Sequence, residues 1–196
     1  MISKAALLLG LALPIAAMAN PESYTLDPYH TFPHFEVDHA GVSTLHGFFR
    51  KTSGKFTIDR AAKTGSVDLS VETASIDTGD SERGARPRTR DEHLRTADFF
   101  NVAEFPRMTY KSTAVRFAGD NPSEITGNLT MVGVTKPLTL KVERWTCKEH
   151  PVSKKQMCGG NASGTLKRSE FGMKYGLPGG VGDELKLSIE FEGFKD

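Results

Sequence analysis

Histidines, cysteines and a dense run of arginines are the residues of this chain with chemistry to offer. His30 and His34 share strand parity and His39 does not. The first two would sit about 13 Å apart on an extended strand rising ~3.3 Å per residue, too far for one zinc ion. No Cys/His spacing supplies further ligands, so no metal site is expected. Asp77, Ser81 and His93 contain the residue types of a hydrolytic triad. The Gly-x-Ser-x-Gly elbow that would present the serine is missing around Ser81, so no catalytic residues are expected. His39 alternates with Phe35 and Val37 and reads as an interior, hydrogen-bonded histidine able to touch a ligand head group.

Cys147 and Cys158 bracket a polar segment containing Pro151. A disulfide stapling a hairpin end fits this spacing better than a redox-active pair, because Cys-x-x-Cys is absent. Closing such a loop stabilises by roughly 3 kcal/mol in the chain-entropy model. Arg83, Arg86, Arg88, Arg90 and Arg95 read in two ways. One is a mouth for anionic head groups. The other is a solvated loop balanced by Asp80, Glu82, Asp91 and Glu92.

The elements that position these residues follow a leader. Met1–Ala19 has the form of a secretory signal peptide, with Lys4, an apolar Ala5–Leu13 and a small-x-small site at Ala17-Met18-Ala19. Its apolar run is shorter than the ~20 residues of a membrane span. The chain after it, 20–196, is expected to form one domain outside the cytoplasm, where disulfides persist. With 25 basic and 24 acidic side chains in 196 residues, loss of Lys4 leaves the mature chain formally neutral. That argues against nucleic-acid binding through bulk charge. No second hydrophobic segment is present, so an integral membrane protein is not expected. A membrane-surface contact and a homodimer stay open.

The dominant periodicity is two. Val67, Leu69 and Val71 alternate with Asp68 and Ser70; Leu185, Leu187, Ile189 and Phe191 alternate with Lys186, Ser188 and Glu190. Each run predicts a strand with one wet face, as in antiparallel sheets. Strands are expected near 23–40, 43–51, 54–59, 65–76, 107–118, 123–131, 137–147 and 159–171, with a ninth at 184–194. Pro28 or Pro33 is expected to break the first. Residues 80–103 lack alternation and predict one or two short helices, with Ser81 and Asp98 as N-caps. Closure removes sheet edges, so an all-β, eight-stranded antiparallel barrel is expected, with a two-sheet sandwich as the alternative.

The residues then resemble a known family. His30-Thr31-Phe32-Pro33-His34-Phe35-Glu36-Val37-Asp38-His39 is similar to the opening motif of the YceI-like family, followed by Gly47-Phe48-Phe49. The likeness continues through Ser75–Gly79, Asp91–Arg95, Asp98-Phe99-Phe100, Gly127–Thr130, Gly133–Leu138 and Arg168–Met173. Three features depart from it: Gly84–Arg90 reads as an insertion, Pro33 replaces a β-branched residue, and the cysteine pair is extra. The resemblance implies a periplasmic, lipocalin-like barrel that carries no catalytic residues or cofactor. It implies a lumen holding a polyisoprenoid, an isoprenoid quinone or a fatty-acid-like ligand.

For that lumen the alternating large residues are Phe35 and Val37, Leu69 and Val71, Met108 and Tyr110, Leu129 and Met131, and Leu140. Phe171 and Met173 join them from the last motif. Thioether side chains adapt to irregular ligands, which suits Met108, Met131 and Met173 to this role.

Overall fold

The computed structural model describes residues 20–196; the leader read at Met1–Ala19 lies outside the described residues. Alternation becomes strand almost throughout: β1 (Glu22–Leu26), β2 (Phe32–His39), β3 (Ser43–Phe49), β4 (Thr52–Asp59), β5 (Thr64–Glu72), β6 (Ile76–Asp77), β7 (Arg107–Ala118), β8 (Asn121–Met131), β9 (Val134–Glu149), β10 (Gln156–Lys167) and β11 (Val181–Lys195). Every pairing is antiparallel. The order β1-β4-β5-β7-β8-β9-β10-β11 closes on itself through Tyr24–Lys195 and Leu26–Gly193, giving an eight-stranded barrel.

The remaining three strands continue barrel strands past a bend. β11 pairs β1 at Gly193–Lys195 and β2 from Val181 to Glu190, so β1 and β2 are two halves of one strand. β3 lies on β2 and β4 on β1, which makes them halves of the next. β6 continues β5 after a 3-10 turn at Thr73–Ser75 and pairs with β3. The runs at 43–51 and 54–59 therefore form one interrupted strand rather than two neighbours. Likewise the run at 159–171 stops at Lys167, and Arg168–Phe171 forms a 3-10 turn.

The first strand breaks at Pro28. Asp27 caps the bend by accepting the Tyr29 N–H on Oδ1 at 2.9 Å, an Asx turn of the kind that competes with a ladder. Pro33 stays inside β2, opposite Ile189 and one residue past the last β2–β3 rung at His34–Phe48. There its missing N–H is tolerated.

Residues 80–103 hold one helix, α1 (Arg90–Leu94). Its N-cap is Thr89, not Ser81: Thr89 Oγ1 accepts the Glu92 N–H at 3.1 Å, and the Glu92 carboxylate accepts the Thr89 N–H at 2.7 Å. This is a reciprocal capping box. Asp98 caps no helix and instead takes His93 Nε2 at 2.8 Å.

The inward residues form two buried clusters. One, around Phe49, Ile76, Phe99, Phe100, Met131 and Met173, fills the barrel end under α1. The other, Tyr24, Leu26, Phe56, Ile58 and Cys158, fills the end near the β9–β10 hairpin. Burying a side chain of Leu or Phe size stabilises by about 1.5–3 kcal/mol. Cys147 and Cys158 face each other across β9 and β10 in a disulfide with Cα atoms 4.1 Å apart.

Candidate functional site

Between the two clusters lies a cavity of about 190 Å³. Its accessible wall is apolar. A dry cavity of about 150 Å³ takes a benzene-sized guest, so this one admits a short apolar segment, and a longer chain needs its walls to shift. Ten of the expected residues line it: Phe35, Val37, Leu69, Val71, Met108, Tyr110, Leu129, Met131, Leu140 and Met173. They arrive from five strands and the segment after the Arg168–Phe171 turn, because each strand sends alternate residues inward.

Two expectations are corrected. His39 is exposed, not interior. It keeps the parity of Phe35 and Val37, but it is the last residue of β2, where β11 is already bulged between Val181 and Leu185. Phe171 is buried in the 3-10 turn, packed in the upper cluster and outside the cavity wall. Sequence reasoning also passed over Leu26, Thr31, Thr52, Phe56, Trp145 and Arg168, all of which line the cavity. Phe56 was legible by parity; the others come from a broken strand, a bulged strand and a turn.

Tyr110 brings a polar group inside. Its hydroxyl lies 3.0 Å from the Ile125 carbonyl and 3.2 Å from that of Leu138, sharing one hydrogen between them. Burial pushes its pKa up, so the phenol stays neutral. Arg168, only 3 % exposed, donates from Nε to Gly182 O at 2.7 Å, from Nη1 to Met173 O at 2.9 Å and from Nη2 to Val181 O at 2.7 Å. Burial lowers its pKa while Asp183 raises it, and an arginine stays charged through such a shift. Its guanidinium ties the 173–182 segment over the upper end and lies 5.9 Å from the Phe99 ring centre.

The opposite end is an aromatic box. Tyr24 stacks on Phe56 at 4.9 Å, and Trp145 meets Phe56 at 5.7 Å and Phe191 at 5.9 Å between ring centres. Glycine makes the box possible: a Cβ at Gly193 would stand 2.6 Å from Phe56 Cε1.

The other reactive groups are engaged elsewhere. Asp77 accepts Arg50 Nε at 2.6 Å and His93 is paired with Asp98, so neither is set against Ser81. Arg86 grips Asp80 with two hydrogen bonds of 2.6 and 2.9 Å. Arg83 is on Glu92, Arg88 on Asp98, and Arg95 on the Ala74 and Ile76 carbonyls. These pairings fit the solvated-loop reading of the arginine run. Among the described residues, Asp27, His30 and Glu192 bring possible ligand atoms within 4.8 Å of one another. Asp27 is already used by its turn and by His30 Nδ1 at 2.7 Å.

Comparisons with known proteins agree with this architecture. A family model described as the YceI-like domain matches residues 24–193. A UPF0312 protein of Pseudomonas aeruginosa is 38% identical over 194 residues, covering 97% of this chain and 96% of the relative. A UPF0312 protein of Pseudomonas syringae pv. tomato is 36% identical over the same shares. Among solved structures, the YCEI protein of Campylobacter jejuni superposes with a TM-score of 0.63 at 25% identity, over 79% of this chain and 87% of that one. A polyisoprenoid-binding domain from Saccharophagus degradans shares the fold with a TM-score of 0.62 at 16% identity, over 88% of this chain and 98% of that one.

Proposed function

The chain belongs to the YceI-like family, and we propose that it is a binding protein that holds a long apolar lipid in its barrel lumen. A polyisoprenoid or isoprenoid quinone is the ligand class, and the role is that of carrier or store. The observation that carries this reading is the apolar cavity enclosed by a closed barrel. The polyisoprenoid-binding description of a structural neighbour supports it.

The physics narrows the role. Each exposed methylene of such a lipid costs roughly 0.8 kcal/mol in water, and the lumen removes that cost. A bilayer removes it equally, so selectivity must come from shape and from a few polar contacts. The lumen is used outside the cytoplasm on this reading: the leader pattern and the Cys147–Cys158 disulfide both suit the periplasm.

Mass spectrometry of an organic extract of the protein, purified from the periplasm without detergent, tests the proposal. A stoichiometric isoprenoid or quinone is expected. A fatty acid or amide would keep the lumen and change the ligand class. An extract without lipid, together with no uptake of offered isoprenoids, would favour an interaction module with a solid core.

A further inference from the structure

Asp27, His30 and Glu192 bring two carboxylate oxygens and one imidazole nitrogen within 4.8 Å of one another. Histidine spacing alone gives no sign of this trio. Asp27 and His30 flank the bend between β1 and β2, and Glu192 comes from β11 at the far end of the chain. The backbone holds the three together. The Asp27 N–H donates to Glu192 O at 2.9 Å, and the His30 N–H to Asp27 O at 3.2 Å. Thr31 Oγ1 accepts the Glu192 N–H and donates to Glu192 O, each at 3.3 Å. Across the ladder from Glu192, Gly159 leaves room for the acid: a Cβ there would stand 3.0 Å from Glu192 Cγ. The charges of the trio do not balance. Asp27 Oδ2 is paired with His30 Nδ1 at 2.7 Å, and among the described residues the Glu192 carboxylate has no ion pair. Two carboxylates thus share one imidazole, and like charges this close oppose each other.

We propose that Asp27 Oδ2, His30 Nδ1 and the Glu192 carboxylate form a binding site for a divalent transition-metal ion of the zinc type. The donor set selects the class. Zinc takes imidazole nitrogen and carboxylate oxygen together, at about 2.0–2.2 Å. Calcium wants roughly six to eight oxygens, and magnesium keeps most of its water. Neither gains from an imidazole.

The ion replaces the proton held between Asp27 and His30, which passes to solvent. Two tetrahedral zinc ligands stand about 3.3 Å apart, so this pair opens by about half an ångström. Asp27 Oδ1 keeps the Tyr29 N–H throughout. The His30 side chain is 61% exposed, against 11% for Asp27, so the site is open on one side and water completes the coordination. His150 acts on Asp27 from the β9–β10 hairpin, but its Nδ1 accepts the Ser153 N–H at 3.0 Å and it is not counted as a ligand. The bound ion fastens the β1–β2 bend to β11. Thr31, fully buried behind that bend, lines the cavity, so the ion acts as a clamp on the barrel wall. The site does not depend on the lipid-binding reading.

Calorimetric titration of the untagged, chelator-treated mature chain with zinc chloride, and separately with calcium chloride, tests the site. The wild type is expected to bind one zinc ion per chain with micromolar affinity and to ignore calcium. Glu192→Gln and His30→Gln should each weaken zinc binding by more than about tenfold, the scale on which even outer-shell partners of a metal count. His93→Gln, which alters a histidine–carboxylate pair elsewhere on the surface, should bind zinc as the wild type does. Zinc should raise the Tm of the wild type and leave that of Glu192→Gln unchanged. No saturable zinc binding below millimolar concentrations, calcium binding as tight as zinc, or undiminished zinc affinity in Glu192→Gln overturns the proposal. So does loss of the zinc site in His93→Gln. If His30→Gln fails to fold, the isosteric Glu192→Gln alone decides.

Discussion

The ring of Phe35 occupies the space that a side chain at residue 47 would fill: a Cβ on Gly47 would stand 2.4 Å from Phe35 Cζ. The two residues are directly paired across β2 and β3, and Phe35 lines the cavity. Gly47→Ala must therefore push the Phe35 ring from its place in the wall. We expect a loss of about 1–3 kcal/mol, the usual cost of overpacking, together with reduced lipid uptake. Thermal unfolding and lipid-to-protein stoichiometry measure the two effects; a wild-type result in both would contradict the packing described.

Arg168 supports the upper end of the barrel through three carbonyls of the 173–182 segment. Arg168→Gln removes the fork and is expected to cost about 2–3 kcal/mol, the scale of hydrogen bonds to a charged group. Amide hydrogen exchange should accelerate at 173–182 and stay slow in β7 and β8. Uniform acceleration across the barrel would show that the arginine holds the whole fold rather than this segment.

The Cys147–Cys158 bond joins residues 11 apart in sequence at the hairpin end of β9 and β10. A paired Cys→Ser replacement should lower stability by roughly 3 kcal/mol through the freed denatured chain, with the barrel still folded. Urea unfolding with and without reductant checks this on the wild type as well. A midpoint indifferent to reduction would mean that the β-ladder alone holds this end.

How far the sequence revealed this arrangement depended on where a residue sits along a strand. Leu185, Leu187 and Ile189 alternate cleanly, and the structure places them on one inner face. His39 continues the parity of Val37, yet parity carries no information about where a strand leaves the barrel. The split of β1 from β2 was legible only as a choice between Pro28 and Pro33, and the structure places it at Pro28. The joining of β3 to β4 was not, since it depends on which neighbours the two halves find. Thr89 and Glu92 carry the capping-box spacing that starts α1, whereas Ser81 has Gly84 three residues on and lacks it. Trp145 and Thr52 could not be placed by pattern: Trp145 follows a bulge near Asn161, and a lone threonine gives no hydrophobic signal.

Asp80 has its pKa lowered to about 2 by the Arg86 guanidinium and by the Arg90 backbone N–H. A folded pKa below the ordinary 3.8 stabilises the fold above that value. The contribution is lost as pH falls from about 4 toward 2, through the folded pKa. Arg86→Gln should therefore move the Asp80 titration midpoint upward, toward its ordinary value, as followed by NMR of the carboxyl carbon. A wild-type midpoint already near the ordinary value would show that the 80–90 loop is not held by this pair.

The lumen itself is the central claim, and native mass spectrometry of periplasm-purified wild type beside Leu140→Trp tests it most directly. Leu140 is 7% exposed and lines the cavity, so the larger ring should occupy the space of a guest. The account predicts a discrete mass addition on the wild type and none on a variant whose circular dichroism remains that of a β-barrel. An unmodified mass in the wild type, or an equal addition on both, would contradict it.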